Sequence, residues 1–219
     1  MRADTARASR VWLDRALIAF GLACLLFYAT VTIQAAIYQR HAKAEIDQMI
    51  SGRYAALAPA ALATTPKPNV VRRLEIGELI GRVDIPRLKL SAAVAEGDDN
   101  ATLGRAVGHL PDTPLPWFRR GNVGLAAHRD GLFRALKDIR AGDEVKVVTP
   151  RGEYSYRVSK TLIVDPDDVW VLAPTQTPSV TLITCYPFSF VGHAPQRFIV
   201  RAELVGGVEG SVLKGVVPR

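Results

Sequence analysis

Hydrophobic positions fall into two regimes along the chain. Residues 16–38 (ALIAFGLACLLFYATVTIQAAIY) carry no charge, whereas beyond residue 70 the apolar residues come in short runs rich in Val, Ile and Leu, separated by Gly and Pro. The first regime is long enough to cross a hydrocarbon core of about 30 Å at about 1.5 Å per helical residue. It predicts one transmembrane helix, centred near residues 21–27 because Thr30, Thr32 and Gln34 weaken its second half, with Trp12 and Tyr38 as interfacial residues. A cleaved signal peptide is the alternative, but the apolar stretch exceeds the usual signal core and Gln34-Ala35-Ala36 is a poor cleavage site. The expectation is an uncleaved signal anchor. Its basic N-terminus, residues 1–15, is cytoplasmic by the positive-inside rule, and everything after residue 38 is outside.

Residues 39–57 contain good helix formers with Ile46, Met49 and Ile50 on one side, which predicts a short amphipathic juxtamembrane helix. The following APAALATTPKPN reads as an extended linker, so 39–69 joins the anchor to a domain over 70–207, with 208–219 as a tail. Within the domain, β-rich runs at 78–85, 88–94, 122–127, 144–149, 153–164, 180–185 and 197–204 predict a mainly β fold, a closed or nearly closed barrel. Short helices are expected at 98–107, after an Asp/Asn capping start, and at 131–139. Pro150-Arg151-Gly152 supplies a hairpin turn.

Composition changes this picture little: 48% hydrophobic and 22% charged residues are ordinary for a folded chain. Charge matters more, because a net +7 invites a nucleic-acid reading. Arg2, Arg7, Arg10 and Arg15 against Asp4 and Asp14 account for part of it, and the rest is spread thinly, so no basic patch forms and nucleic acid is not expected as a partner. Only Cys24 and Cys185 are present, and the first lies in the predicted span, so no disulfide between them is expected. The acidic run Asp165-Pro166-Asp167-Asp168 reads as a solvated turn in preference to a calcium site. The four histidines lack metal-ligand spacing, and neither a metal nor a cofactor is expected.

Candidate chemistry sits at strand ends. Cys185 closes the run Val180-Thr181-Leu182-Ile183-Thr184 and precedes Tyr186-Pro187-Phe188, so a buried strand delivers a thiol to a rim. Alone it reads as a core filler, since free cysteines are among the most buried residues. A working thiolate needs a positive neighbour, and the attacked carbonyl needs a donor for its developing charge. His128, after the apolar run 122–127, and Arg197, opening Arg197-Phe198-Ile199-Val200, are the candidates.

The run TLITC, with His128 upstream in LAAHRDGLF and Arg197 downstream in APQRFIV, resembles the His, Cys and Arg signature of sortases. Cys185-Tyr186-Pro187-Phe188 together with Ala194-Pro195-Gln196-Arg197-Phe198 looks most like class D sortases. The resemblance covers about residues 78–205 and implies an eight-stranded barrel enzyme, a cysteine transpeptidase. Cys185 would form a thioacyl intermediate, His128 would act as general acid and base, and Arg197 would hold substrate and stabilise negative charge. Substrate contacts are implied at His109, in a Gly108-His109-Leu110 match, and at Ala127, Thr184 and Tyr186. Ala127 stands where many sortases have Gly, and its methyl is expected to narrow the groove. The implied partners are secreted proteins with a C-terminal sorting motif and an amine acceptor at the cell envelope. A thiol hydrolase using the same pair, and a tethered β-domain without catalysis, are the competing readings. His41 and His193 are left without a role.

Overall fold

The computed structural model of the protein describes residues 2–56, 74–190 and 192–209. The predicted linker therefore lies outside the described residues, as does most of the predicted tail. The chain divides into two units, Met1–Tyr38 and Gln39–Arg219. A long helix, α1 (Arg2–Ala56), supplies all the described residues of the first. An 18-residue window within its stretch Trp12–Ser51 is apolar enough to span a bilayer, with a mean hydropathy of 2.3, and fits a single-pass membrane anchor. Thr30 and Thr32 fit there because their hydroxyls donate to the carbonyls of Phe27, Tyr28 and Ala29 inside the helix.

In the second unit α1 continues from Gln39 and turns one face inward. Ala42 and Ile46 are buried, and Met49 and Ile50 partly so, an i, i+4, i+7, i+8 stripe. Full burial of Ile46 alone contributes roughly 1.5–3 kcal/mol. The Gln39 side chain accepts from Ala93 N at 2.9 Å and donates to Arg105 O at 2.6 Å, and Asp47 pairs with Arg82 at 2.9 Å. The amphipathic spacing is thus explained by contact with the domain, and the folded unit starts at Gln39, ahead of the boundary expected near residue 70.

Eight strands close into the barrel: β1 (Leu79–Ile85), β2 (Leu90–Glu96), β3 (Val107–His109), β4 (Asn122–Ala126), β5 (Glu144–Thr149), β6 (Gly152–Val164), β7 (Ser179–Tyr186) and β8 (Gln196–Glu209). Their order is β1-β2-β3-β4-β7-β8-β6-β5, with β2–β3 and β4–β7 parallel and the other pairs antiparallel. Closure leaves no edge strand to pair elsewhere. Seven of the strands overlap the expected runs, and β3 replaces the end of a predicted helix. Only α2 (Asn100–Leu103) is helical there, capped by Asp99, whose carboxylate accepts from Ala101 N and Thr102 N. Gly108 in β3 passes so close to Gly97 O that a β-carbon would collide with it. The helix expected at 131–139 is a 3-10 turn, Arg134–Asp138, which buries Leu136.

The core fills the barrel from alternate positions: Val83 and Ile85, Val94, Val123 and Leu125, Val145 and Val147, Tyr154 and Tyr156, Val180 and Leu182, and Val200. Opposite-phase residues Ile183 and Ile199 join Val164 and Val171 in a second, smaller cluster. That cluster lies beneath residues 165–178, the connection between β6 and β7, which Asn122 ties down by donating to Val171 O at 2.9 Å. Cys185, two residues beyond Ile183, shares this outer phase of β7.

Candidate active site

Topology brings three distant residues together. Parallel pairing sets Ala126 of β4 beside Ile183 of β7, so His128 and Cys185 each lie two residues further on, at neighbouring strand ends. Antiparallel pairing places Arg197 of β8 directly opposite Cys185. With strands about 4.8 Å apart, the order across the rim is His128, Cys185, Arg197. All three line one cleft of about 220 Å³, together with Arg129, Asp130, Gly192, His193 and Ala194.

The backbone beneath them is fixed. Ala127 N donates to Ile183 O at 3.2 Å, and Thr184 Oγ1 donates to Ala127 O at 2.8 Å, so β4 stays locked to β7 up to the residue before His128. After His128 the chain folds over its carbonyl, which accepts from Gly131 N and Phe133 N, and Phe133 is buried in the core. His128 itself is exposed, and among the described residues its ring makes no hydrogen bond. Cys185 is a half-buried free thiol. Arg197 is half-buried, and its Nη1 donates to Ala194 O at 3.4 Å and Gln196 O at 3.1 Å, which leaves its remaining donors for a ligand. An exposed imidazole, a rim thiol and a guanidinium can together generate a thiolate, move protons and neutralise an oxyanion.

The residues expected to touch substrate are dispersed. Thr184 and Ala127 are 3% and 6% exposed, and Ala127 packs in the main core, so its methyl fills the barrel and does not project into the groove. Tyr186 stacks on Phe198 at 6.3 Å and meets Phe188 edge-on at 6.1 Å, forming an aromatic floor at the barrel end. His109, 1% exposed, is not among the cleft-lining residues. Its Nδ1 donates to the Glu96 carboxylate at 2.7 Å, and its Nε2 lies 3.2 Å from Thr113 Oγ1. Gly124 N donates to that same hydroxyl, so His109 braces the segment that feeds β4. Sequence reasoning passed over Arg129 and left His193 without a role. The first adjoins His128, and the second lies in the Gly192-His193-Ala194 stretch just before the Arg197 run.

A closed eight-stranded barrel thus carries cysteine, histidine and arginine on three adjacent strand ends. The chain belongs to the sortase family: the Sortase domain model matches residues 83–205, more than half of its length. It is 36% identical over 132 residues to Sortase D of Bacillus subtilis (strain 168), a match covering 60% of this chain and 66% of that protein. The chain thus spans just under two thirds of the length of that relative. Among solved structures it resembles a Clostridium perfringens Sortase D5 transpeptidase, with a TM-score of 0.61 at 22% identity over 77% of this chain and 99% of the other. Sortase E1 from Streptomyces coelicolor, solved with a tripeptide in the active site, gives a TM-score of 0.56 at 29% identity over 61% of this chain and 91% of the other.

Proposed function

We propose that the protein is a membrane-anchored cysteine transpeptidase that cleaves a C-terminal sorting motif of secreted proteins and transfers the acyl group to a cell-surface amine. The convergence of Cys185, His128 and Arg197 on one cleft carries this reading. The tripeptide held by the Streptomyces coelicolor relative supports a peptide as substrate. The Cys185 thiolate attacks the scissile carbonyl carbon, forming an S–C bond and an oxyanion that the Arg197 guanidinium neutralises. His128, as imidazolium, gives its proton to the departing amine as the C–N bond breaks, leaving a thioester. An incoming amine then attacks the thioester and passes a proton back to His128, and Sγ departs as thiolate.

Arginine suits the oxyanion role because its fixed charge and forked donors remain available at every step. The apolar stretch of α1 keeps the enzyme at the membrane, with the basic segment 1–15 cytoplasmic and the barrel outside. Solvent exposure of His128 favours a second reading, a thiol hydrolase in which water resolves the thioester. Full-length protein in detergent micelles, incubated with an LPxTG-like peptide library with and without an added amine, separates the two. Amine-capped product is expected, and release of free acid alone would rule out transfer.

A further inference from the structure

Between β7 and β8, residues 192–194 form one wall of the Cys185 cleft, and residues 187–190 lead toward it. Both ends of this connection are held. Phe188 packs against Phe198 at 5.3 Å, and Ala194 is buried and accepts from Arg197. The middle has no such burial: Ser189, Phe190, Gly192 and His193 are all exposed. What reaches this middle is Arg129. Its Nη2 donates to Phe190 O at 2.7 Å and Gly192 O at 2.9 Å, and its guanidinium carbon lies 5.8 Å from the centroid of the Phe190 ring.

Two charge-assisted bonds to carbonyls two residues apart, plus a cation–π contact, fix both the height and the direction of an otherwise loose loop. The anchor point is rigid, because Arg129 directly follows His128, whose carbonyl accepts from the 131–133 turn and whose preceding residue, Ala127, is tied to β7. Arg129 therefore joins the floor that carries the imidazole to the wall that faces it.

We propose that Arg129 is a positioning residue: through Phe190 and Gly192 it fastens the wall between β7 and β8 over the Cys185 cleft, sets the width of the groove that receives substrate, and takes no part in bond making. This rests on the reading of that cleft as the transpeptidase site. A loosened wall weakens substrate capture while leaving Cys185, His128 and Arg197 in place, so the effect falls on KM. Lysine, whose shorter side chain stops before the position of Nη2 and which has no planar guanidinium to lay over the Phe190 ring, restores only part of the clamp.

The test compares full-length wild type, Arg129→Lys and Arg129→Met in detergent micelles by two readouts. The first is the rate of limited chymotrypsin cleavage after Phe190, which needs no activity. Arg129→Met is expected to be cut roughly tenfold faster, with Arg129→Lys in between, as local opening of the wall becomes easier. The second is steady-state transfer of a sorting peptide to an added amine, where Arg129→Met is expected to raise KM roughly tenfold with kcat within about threefold. Unchanged cleavage after Phe190, or a fall in kcat at constant KM, overturns the clamp, and so does a lysine variant no better than methionine. If wild type transfers no peptide, the transpeptidase reading fails while the proteolysis still decides whether Arg129 holds the wall.

Discussion

Two histidines, one on β3 and one just past the neighbouring β4, live in opposite environments. His109 ends β3, is 1% exposed, and commits both ring nitrogens to Glu96 and Thr113. His128 follows β4, is open to solvent, and keeps its ring free among the described residues while its backbone is held on both sides. The contrast shows how one residue type is divided between scaffold and chemistry. A buried imidazole locked by partners cannot exchange protons with a ligand, and an exposed one on a rigid backbone can.

The largest effect that would break this comparison concerns the exposed ring. His128→Asn is expected to lower kcat/KM roughly 100- to 10,000-fold, the usual worth of a positioned acid–base group. Folding stability, read by urea titration, should stay within about 0.5 kcal/mol of wild type, as for an exposed substitution. His109→Ala should do the reverse. It strands the Glu96 carboxylate in the barrel wall and costs about 3 kcal/mol or more in the same titration, whereas turnover per folded molecule persists. Should His109→Ala fold normally yet lose activity, the division between the two histidines would collapse.

A smaller, histidine-independent effect sharpens the scaffold side. Arg87 donates through Nε and Nη2 to the two oxygens of Asp143, which also accepts from Arg140 N, and these bonds hold the Asp143 carboxyl below the usual carboxylate range. A depressed folded pKa stabilises the protein fully above the unfolded value of about 3.9 and is lost as pH falls through the folded one. Wild-type melting temperature is therefore expected to decline below about pH 4 more steeply than that of Asp143→Asn. Parallel acid slopes in the two proteins would show that this pair does not couple to folding.

Much of this architecture was readable in the sequence, for identifiable reasons. Strands β1, β2 and β4 to β8 carry enough residues for their apolar pattern to show, and the hairpin at Pro150-Arg151-Gly152 joins β5 to β6 as its turn residues indicate. Strand β3 is three residues long and centred on Gly108, too short to display a period. Cys185, His128 and Arg197 were candidates as strand-end residues, but each alone reads as structural, and only their combined resemblance to the sortase signature set them apart. Alternation along β7 also held the information that Thr184 shares the phase of the core residues Val180 and Leu182, opposite to Cys185. The burial of His109 depends on Glu96, 13 residues upstream on another strand, and nothing local announces it. Arg129 is silent for a similar reason, since its partners are backbone carbonyls 61 and 63 residues away.

Intact-mass analysis of the protein quenched during turnover of a sorting peptide tests the central claim most directly. The account predicts a mass increase equal to the acyl fragment, mapped to Cys185, absent in Cys185→Ala and discharged by added amine. A wild-type thiol that stays unmodified while the peptide is cleaved, or a Cys185→Ala protein that still cleaves it, would contradict it.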